Sequence, residues 1–230
     1  MRSYHADLGC GIDGLSVREH DTPQPGPGQA LVRVRASSLN HRELMILRGR
    51  YPLPIKDDVV PVSDGAGPDY LSYEQAATLP CAGVTAWHAL TGGRGLRAGE
   101  TVLTLGSGGV SLFAVQFAKA FGARVIATAG SGEKAERLRA LGADEAIDYR
   151  ATPNWHELVR ELTGGGVDHV VEVTRRLEQS VRATAMNGEI AFVGLLSEGG
   201  NGVPSLDPSL LWLSGADVRS RSVPAPISRR

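Results

Sequence analysis

Between the apolar run Thr101–Leu105 and a helical repeat of apolar residues lies Gly106-Ser107-Gly108-Gly109-Val110-Ser111. No other stretch constrains the fold as much. The residues before it read as a buried strand. After it, Val110, Phe113, Ala114, Phe117, Ala118 and Phe121 recur at helical spacing up to Gly122. A strand that turns on glycines straight into a helix aims several backbone N–H groups at one spot. The first glycine permits the tight turn, and the second lets those N–H groups approach a diphosphate. The helix N-terminus adds partial positive charge. Ser111 stands where a third glycine is usual and is still small enough for close helix–strand packing. A glycine triplet alone often only redirects a chain; here strand and helix flank it as a phosphate-binding turn requires.

The pattern continues without ambiguity. Strands are predicted at Arg124–Ala129, 146–149, 167–173, 189–193 and, after Leu210–Leu213, at 217–223, and helices at 133–141 and 177–186. One further helix starts at a Thr152 cap with Pro153 in its first turn. It buries Trp155, Leu158, Val159 and Leu162, and stops at Gly164. Six strands joined by helical crossovers imply an α/β fold, a doubly wound parallel sheet of the Rossmann type.

Ahead of about Leu71 the chain differs in character. Alternating segments such as 30–35 read as strands, separated by Pro/Gly-rich turns like 23–28. Asn40 with Glu43 three residues on predicts a capped helix over His41–Leu47, and Ser72 with Gln75 opens the next. Residues 81–91 read as another helix.

The nucleotide can be argued from the second strand. An NAD site usually has Asp or Glu at its end to hold the ribose 2′-OH. This strand ends Ala127-Thr128-Ala129-Gly130-Ser131-Gly132, with no carboxylate. A 2′-phosphate meets no repulsion there, while Ser131 and Lys134 can offer a hydroxyl and a cation, so NADP is favoured over NAD. Equally, Ser131 can merely cap a helix and Lys134 face solvent, and Glu133 tempers the field. The missing carboxylate also argues against a methyltransferase, which wants an acid to hold a ribose diol.

With 24 Lys and Arg against 25 Asp and Glu, the net charge of −1 gives no electrostatic reason to expect nucleic acid or a membrane as partner. The two cysteines, Cys10 and Cys81, form neither a disulfide framework nor a Cys-x-x-Cys pattern. The residues after Met1 lack the apolar run of a secretory signal, and no stretch approaches a membrane span, so a cytoplasmic protein is expected.

The chain resembles the zinc-independent quinone-oxidoreductase branch of the medium-chain dehydrogenase/reductase superfamily. The resemblance is carried by Ala36-Ser37-Ser38-Leu39-Asn40-His41-Arg42, by residues 76–87 and 106–119, by Ala140-Leu141-Gly142-Ala143-Asp144, and by Asp168-His169-Val170-Val171-Glu172-Val173. It implies a partial, mostly β GroES-like catalytic domain over 1–70, connecting helices over 71–95 and an NADP-binding Rossmann domain over 96–230. Zinc-dependent relatives draw ligands from positions matching 38–41, from a His-Glu pair matching Ser63-Asp64, and from near Cys81. Only Cys81 survives, and one thiol cannot hold a zinc that needs three protein ligands, so no metal site is expected.

Without a Lewis acid, hydrogen-bond donors must polarise the substrate carbonyl. The resemblance suggests Asn40 and Tyr51 for this, although Asn40 also suits a helix cap and Tyr51 can simply pack. It carries over Thr85, Tyr149 and Gly194 as cofactor neighbours beside Gly106, Ser107, Gly108, Gly109 and Val110. Tyr149 falls at the adenosine-phosphate end, or is ordinary packing.

Three departures stand out. Gly65-Ala66-Gly67 runs almost directly into Pro68-Asp69-Tyr70-Leu71, where the family has many more residues. The glycine-rich turn expected after the fourth strand reads Thr174-Arg175-Arg176, and the family's return to its catalytic domain after the sixth strand is absent. The implied function is NADPH-dependent hydride transfer to a quinone, enone or related carbonyl. The alternatives are a catalytically impaired NADP-binding remnant and a domain that works only as an oligomer. For the last, the sixth strand can pair edge to edge with its copy in a homodimer.

Overall fold

The computed structural model describes residues 1–29, 31–56, 58–62, 64, 71–194 and 206–220. Ala30, Ser63, the glycine segment within 65–70 and the end of the 217–223 strand beyond Ser220 lie outside these. The chain divides into two compact units, Met1–Cys81 and Ala82–Arg230.

In the first unit, β1 (Arg2–Ala6) pairs antiparallel with β2 (Leu15–Glu19), from Arg2 opposite Glu19 to Ala6 opposite Leu15. The amide of Ala6 donates to the carbonyl of Val59 at 3.0 Å, a single bridge. The expected strand over 30–35 does not form: residues 31–35 have no ladder partner among the described residues, and Leu31, Val32 and Val34 are exposed. Alternation shows that a segment can lie half-buried in a sheet, but a strand exists only where another offers its edge. Helix α1 (His41–Leu47) occupies the expected residues, with the Glu43 carboxylate accepting from the Asn40 N–H at 2.6 Å. Helix α2 (Tyr73–Ala77) opens on Ser72, whose hydroxyl accepts from the Gln75 N–H while the Gln75 side chain accepts from the Ser72 N–H.

The second unit begins with α3 (Val84–Thr91). The turn before it, Leu79–Gly83, is wound wider than an α-helix, so the helix expected over 81–91 starts later. The order then runs β3 (Thr101–Leu105), α4 (Gly109–Ala120), β4 (Arg124–Ala129), α5 (Gly132–Ala140), β5 (Glu145–Asp148), α6 (Trp155–Thr163), β6 (Val167–Glu172), α7 (Leu177–Ala183), β7 (Thr184–Phe192), α8 (Pro208–Ser214) and β8 (Asp217–Ser220). The strands form one parallel sheet in the order β5-β4-β3-β6-β7-β8. The chain turns both ways from β3, which neighbours β4 on one side and β6 on the other.

Alternate residues of the strands feed two cores. Val102, Val125, Ala127 and Ala129 meet α3, α4 and α5 through Ala86, Leu90, Ala114, Val115 and Leu138. Leu103, Leu105, Ile126 and Ile190 meet α6 and α7 through Trp155, Val159 and Val181. The small residues on the first face let those helices lie close to the sheet.

Further boundaries differ from the sequence reading, chiefly at α6, α7 and β7. Asn154, not Thr152, stands at the start of α6, while Gly164 ends it in the left-handed conformation as expected. The helix read over 177–186 stops at Ala183, and β7 starts at Thr184 opposite Val167. The register slips before His169 pairs with Glu189, and Asn187 takes a φ of 61° in the intervening bulge. Helical periodicity cannot report a strand that starts early and is interrupted by a bulge.

Candidate functional site

At the carboxyl end of β3, Gly106 takes a φ of 80°, the left-handed region where a side chain is strained. Its amide faces Thr128 Oγ1 at 3.4 Å, tying the turn to β4. Helix α4 then starts at Gly109, so the amides of Gly109, Val110 and Ser111 have no helical carbonyl to bond. Gly109 is closely packed, since a Cβ there would stand 3.2 Å from the Ala82 Cβ and one of the two would have to give. Ser111 does more than stay small: it is fully buried and its hydroxyl donates to the Leu105 carbonyl at 2.7 Å. Gly108 is different. Its backbone is extended at φ −86°, which any residue adopts, and among the described residues nothing lies within 4 Å of where a Cβ would be. Packing by the described residues therefore gives no reason for glycine at 108. Space kept open over a helix N-terminus fits the close approach of a diphosphate. Ser107 and Val110 are half-buried beside it.

The second-strand end lies alongside. Ser131 starts α5, its hydroxyl accepting from the Lys134 amide at 3.4 Å. The capping reading of Ser131 thus holds, and Lys134 is exposed in the first turn. The Tyr149 amide donates to the Ala129 carbonyl at 3.0 Å, and its hydroxyl lies 2.7 Å from where a Cβ on Gly130 would sit. Gly194 is packed against the turn after β6: a Cβ there would meet the Val173 carbonyl carbon at 2.8 Å and the Thr174 nitrogen at 3.0 Å. That turn also faces Gly106, whose Cβ position is 3.6 Å from Thr174 Cγ2. Gly106 and Gly194 are therefore brought to one place, with Ser131 and Tyr149 gathered at the β4 end. Thr85 is half-buried in the first turn of α3 and makes no side-chain hydrogen bond among the described residues.

The turn Thr174-Arg175-Arg176 is fixed from below. Buried Glu172 accepts from the Thr174 amide at 2.6 Å, from the Thr174 hydroxyl at 3.0 Å and from Ser180 Oγ. Arg175 keeps a φ of 65°, the conformation a glycine would take.

In the first unit, Asn40 donates from its side chain to Asp64 Oδ2 at 2.5 Å, and the Ser38 hydroxyl donates to the same oxygen at 2.6 Å. Asp64 is buried, and its Oδ1 has no partner among the described residues. The Arg42 guanidinium lies 5.1 Å from the Tyr51 ring centroid, with Nε 3.4 Å from the hydroxyl, and its Nη1 reaches Glu43 at 3.4 Å. A chain of contacts thus links Asp64, Asn40, Glu43, Arg42 and Tyr51. Sequence reasoning chose Asn40 and Tyr51 but missed Asp64, Glu43 and Arg42. No local sequence signal tied Asp64 to Asn40, 24 residues away. Among the described residues no three His, Cys, Asp or Glu side chains are grouped as metal ligands.

Another polar cluster lies at the opposite, amino-terminal end of the parallel sheet. Glu100, just ahead of β3, reaches Arg94 Nη1 at 2.5 Å and His169 Nε2 at 3.1 Å, while Glu189 accepts from the Arg94 amide at 2.8 Å. His169 is held below its ordinary pKa by burial first and Arg94 next. Burial pushes Glu100 up, but the Arg97 amide and Arg94 outweigh it and hold the carboxyl below its usual range.

The order of the sheet and the construction of its glycine turn define a Rossmann-type dinucleotide fold. A model of the zinc-binding dehydrogenase family matches residues 109–228. A zinc-type alcohol dehydrogenase-like protein of Schizosaccharomyces pombe is 36% identical, the match covering 83% of this chain and 75% of that protein. Its alignment runs over 258 positions, more than the chain's 230 residues, so the relative has segments with no counterpart here. The quinone oxidoreductase of Thermus thermophilus, solved also with NADPH, superposes with a TM-score of 0.83 at 26% identity, over 100% of this chain and 82% of that one. An NAD-dependent alcohol dehydrogenase superposes at 0.82 with 30% identity, over 96% and 84%. The chain belongs to the zinc-binding dehydrogenase family, in the quinone-oxidoreductase-like branch of the medium-chain dehydrogenase/reductase superfamily, and is an oxidoreductase by kinship.

Proposed function

We propose that the chain is an NADPH-dependent oxidoreductase that reduces a quinone, enone or related carbonyl without metal. In this reading residues 1–70 are the remnant of the catalytic domain, 71–95 connect, and 96–230 hold the nucleotide. The observation that carries it is the amide-lined opening at Gly108, with a carboxylate-free strand end at Gly130 beside it.

The amides of Gly109, Val110 and Ser111 hold the diphosphate, aided by the helix dipole. Gly106 and Gly194 keep the floor free of side chains, and Ser131, Lys134 and Tyr149 receive the adenosine end, with Thr85 and Ser107 as further neighbours. When bound, the dinucleotide supplies a hydride. Asn40 and Tyr51 donate hydrogen bonds to the substrate carbonyl oxygen as negative charge grows there. Asp64 fixes the Asn40 amide by accepting from it, and Arg42 orients the Tyr51 hydroxyl. Zinc is omitted because the positions matching a zinc set offer Ser38, Asp64 and Cys81, one soft ligand where three strong ones are needed.

A second reading, an NADP-binding protein with impaired catalysis, is favoured by the 31–35 segment, which has no strand partner among the described residues, and by the segments of its relative that have no counterpart. One titration separates the two. Protein fluorescence should respond to micromolar NADPH more strongly than to NADH, and adding small quinones should then consume NADPH. Binding without consumption over a broad quinone and enone panel selects the second reading, and no binding of either nucleotide removes both.

A further inference from the structure

Two arginines gather around Gly130, with Lys134 near it in sequence. The Arg176 guanidinium lies over the Tyr149 ring, 4.8 Å from its centroid. Arg150 Nε is 3.8 Å from the position of a Cβ on Gly130, and Lys134 stands in the first turn of the helix that starts at Ser131. Among the described residues none of the three has a carboxylate within ion-pair distance, whereas neighbouring Glu133 is occupied by Arg137 at 2.6 Å. No side-chain N–H of Arg176 is bonded to another described residue.

Arg176 is also unusually well placed for a surface arginine. It follows Arg175, which holds a left-handed φ of 65° that is strained for a residue with a side chain. The turn is pinned by Glu172 beneath and by the Gly194 backbone beside it. Strain retained in a pinned turn, ending in a cation laid on an aromatic ring, is the mark of a pre-organised binding group. The ring that carries it presents its hydroxyl at the end of β4, where an acidic residue would otherwise stand.

We propose that Arg176, seated on Tyr149, is a specificity-determining residue that reads the phosphate monoester on the adenosine ribose and so selects NADPH over NADH. This rests on the nucleotide reading above. A guanidinium offers its donors to two phosphate oxygens at once, which a lone ammonium cannot.

The test uses the full chain and two probes, 2′,5′-ADP and 5′-AMP, in calorimetric titration. Wild-type protein should prefer 2′,5′-ADP. Arg176→Ala should weaken 2′,5′-ADP roughly 10- to 30-fold while changing 5′-AMP by less than about two-fold. Arg176→Lys should fall between. Arg182→Ala, which removes the same charge from α7 where it pairs with Glu178, should leave both probes unchanged. Unaltered thermal midpoints show that the variants fold. If wild-type protein prefers 2′,5′-ADP and Arg176→Ala keeps that preference, or weakens both probes equally, the role of Arg176 is overturned and the choice of NADP stands. A wild-type protein that does not distinguish the probes overturns the choice of NADP, and the role of Arg176 with it.

Discussion

Taken out of water, a carboxylate must be met by donors, and Asp64 is met by Ser38 and Asn40. Removing it strands both donors in a partly buried place. Asp64→Ala should therefore lower the stability of the first unit by about 1–3 kcal/mol. Amide exchange of α1 residues should speed up accordingly, and Asp64→Asn should cost less. Unchanged exchange in the alanine variant would show that water replaces the carboxylate without loss. The cap at Asn40 was legible because its signal is local, Asn and Glu three apart. Its bond to Asp64 was not, since 24 residues separate the partners and only folding brings them together. Tyr149 shows the same limit: its strand could be read, but not the arginine above its ring.

Strand, turn and helix around residue 108 make the element scale testable. A methyl group on Gly108 enters open space, and its backbone angles suit alanine. Gly108→Ala should keep the thermal midpoint within a degree or two, yet weaken NADPH about tenfold or more by intruding on the diphosphate. Equal affinity would mean that the diphosphate does not approach there. The parallel sheet was largely legible, because strands buried on both faces and helices with one apolar stripe each carry a strong pattern. Segment 31–35 carried a strand pattern too, but pairing is a property of two segments, and among the described residues no second one pairs with it. The early start of β7 was hidden by a bulge at Asn187, which no periodicity encodes.

Stability of the whole molecule should depend on acid through the Arg94, Glu100, His169 and Glu189 cluster. The unfolded chain takes up a proton on histidine near pH 6.5, but native His169 resists it, mainly through burial and then Arg94. In that window the unfolded state binds more protons, so stability falls as pH drops through about 6.5, by at most roughly 1.4 kcal/mol per pH unit for one proton. Glu100, held below the usual carboxylate range, adds a second loss as pH falls through that range. Thermal midpoints measured from about pH 7.5 to about pH 5 should decline, and His169→Gln should flatten part of the decline. Burial likewise holds His156 down, so some slope should persist in that variant. A variant as steep as the parent would assign the acid response elsewhere.

One consequence of the strand order belongs to the molecule as a whole. Connections leave β3 toward β4 on one side, and the chain returns through β6 on the other, so the loops at that edge part company above it. The resulting cleft is set by wiring rather than by any side chain. In the proposed site, changes at Ser131, Tyr149 or Arg176 would alter which nucleotide is accepted without moving the switch point between β4 and β6. Location and choice of occupant are thus written in different parts of the chain and can drift independently.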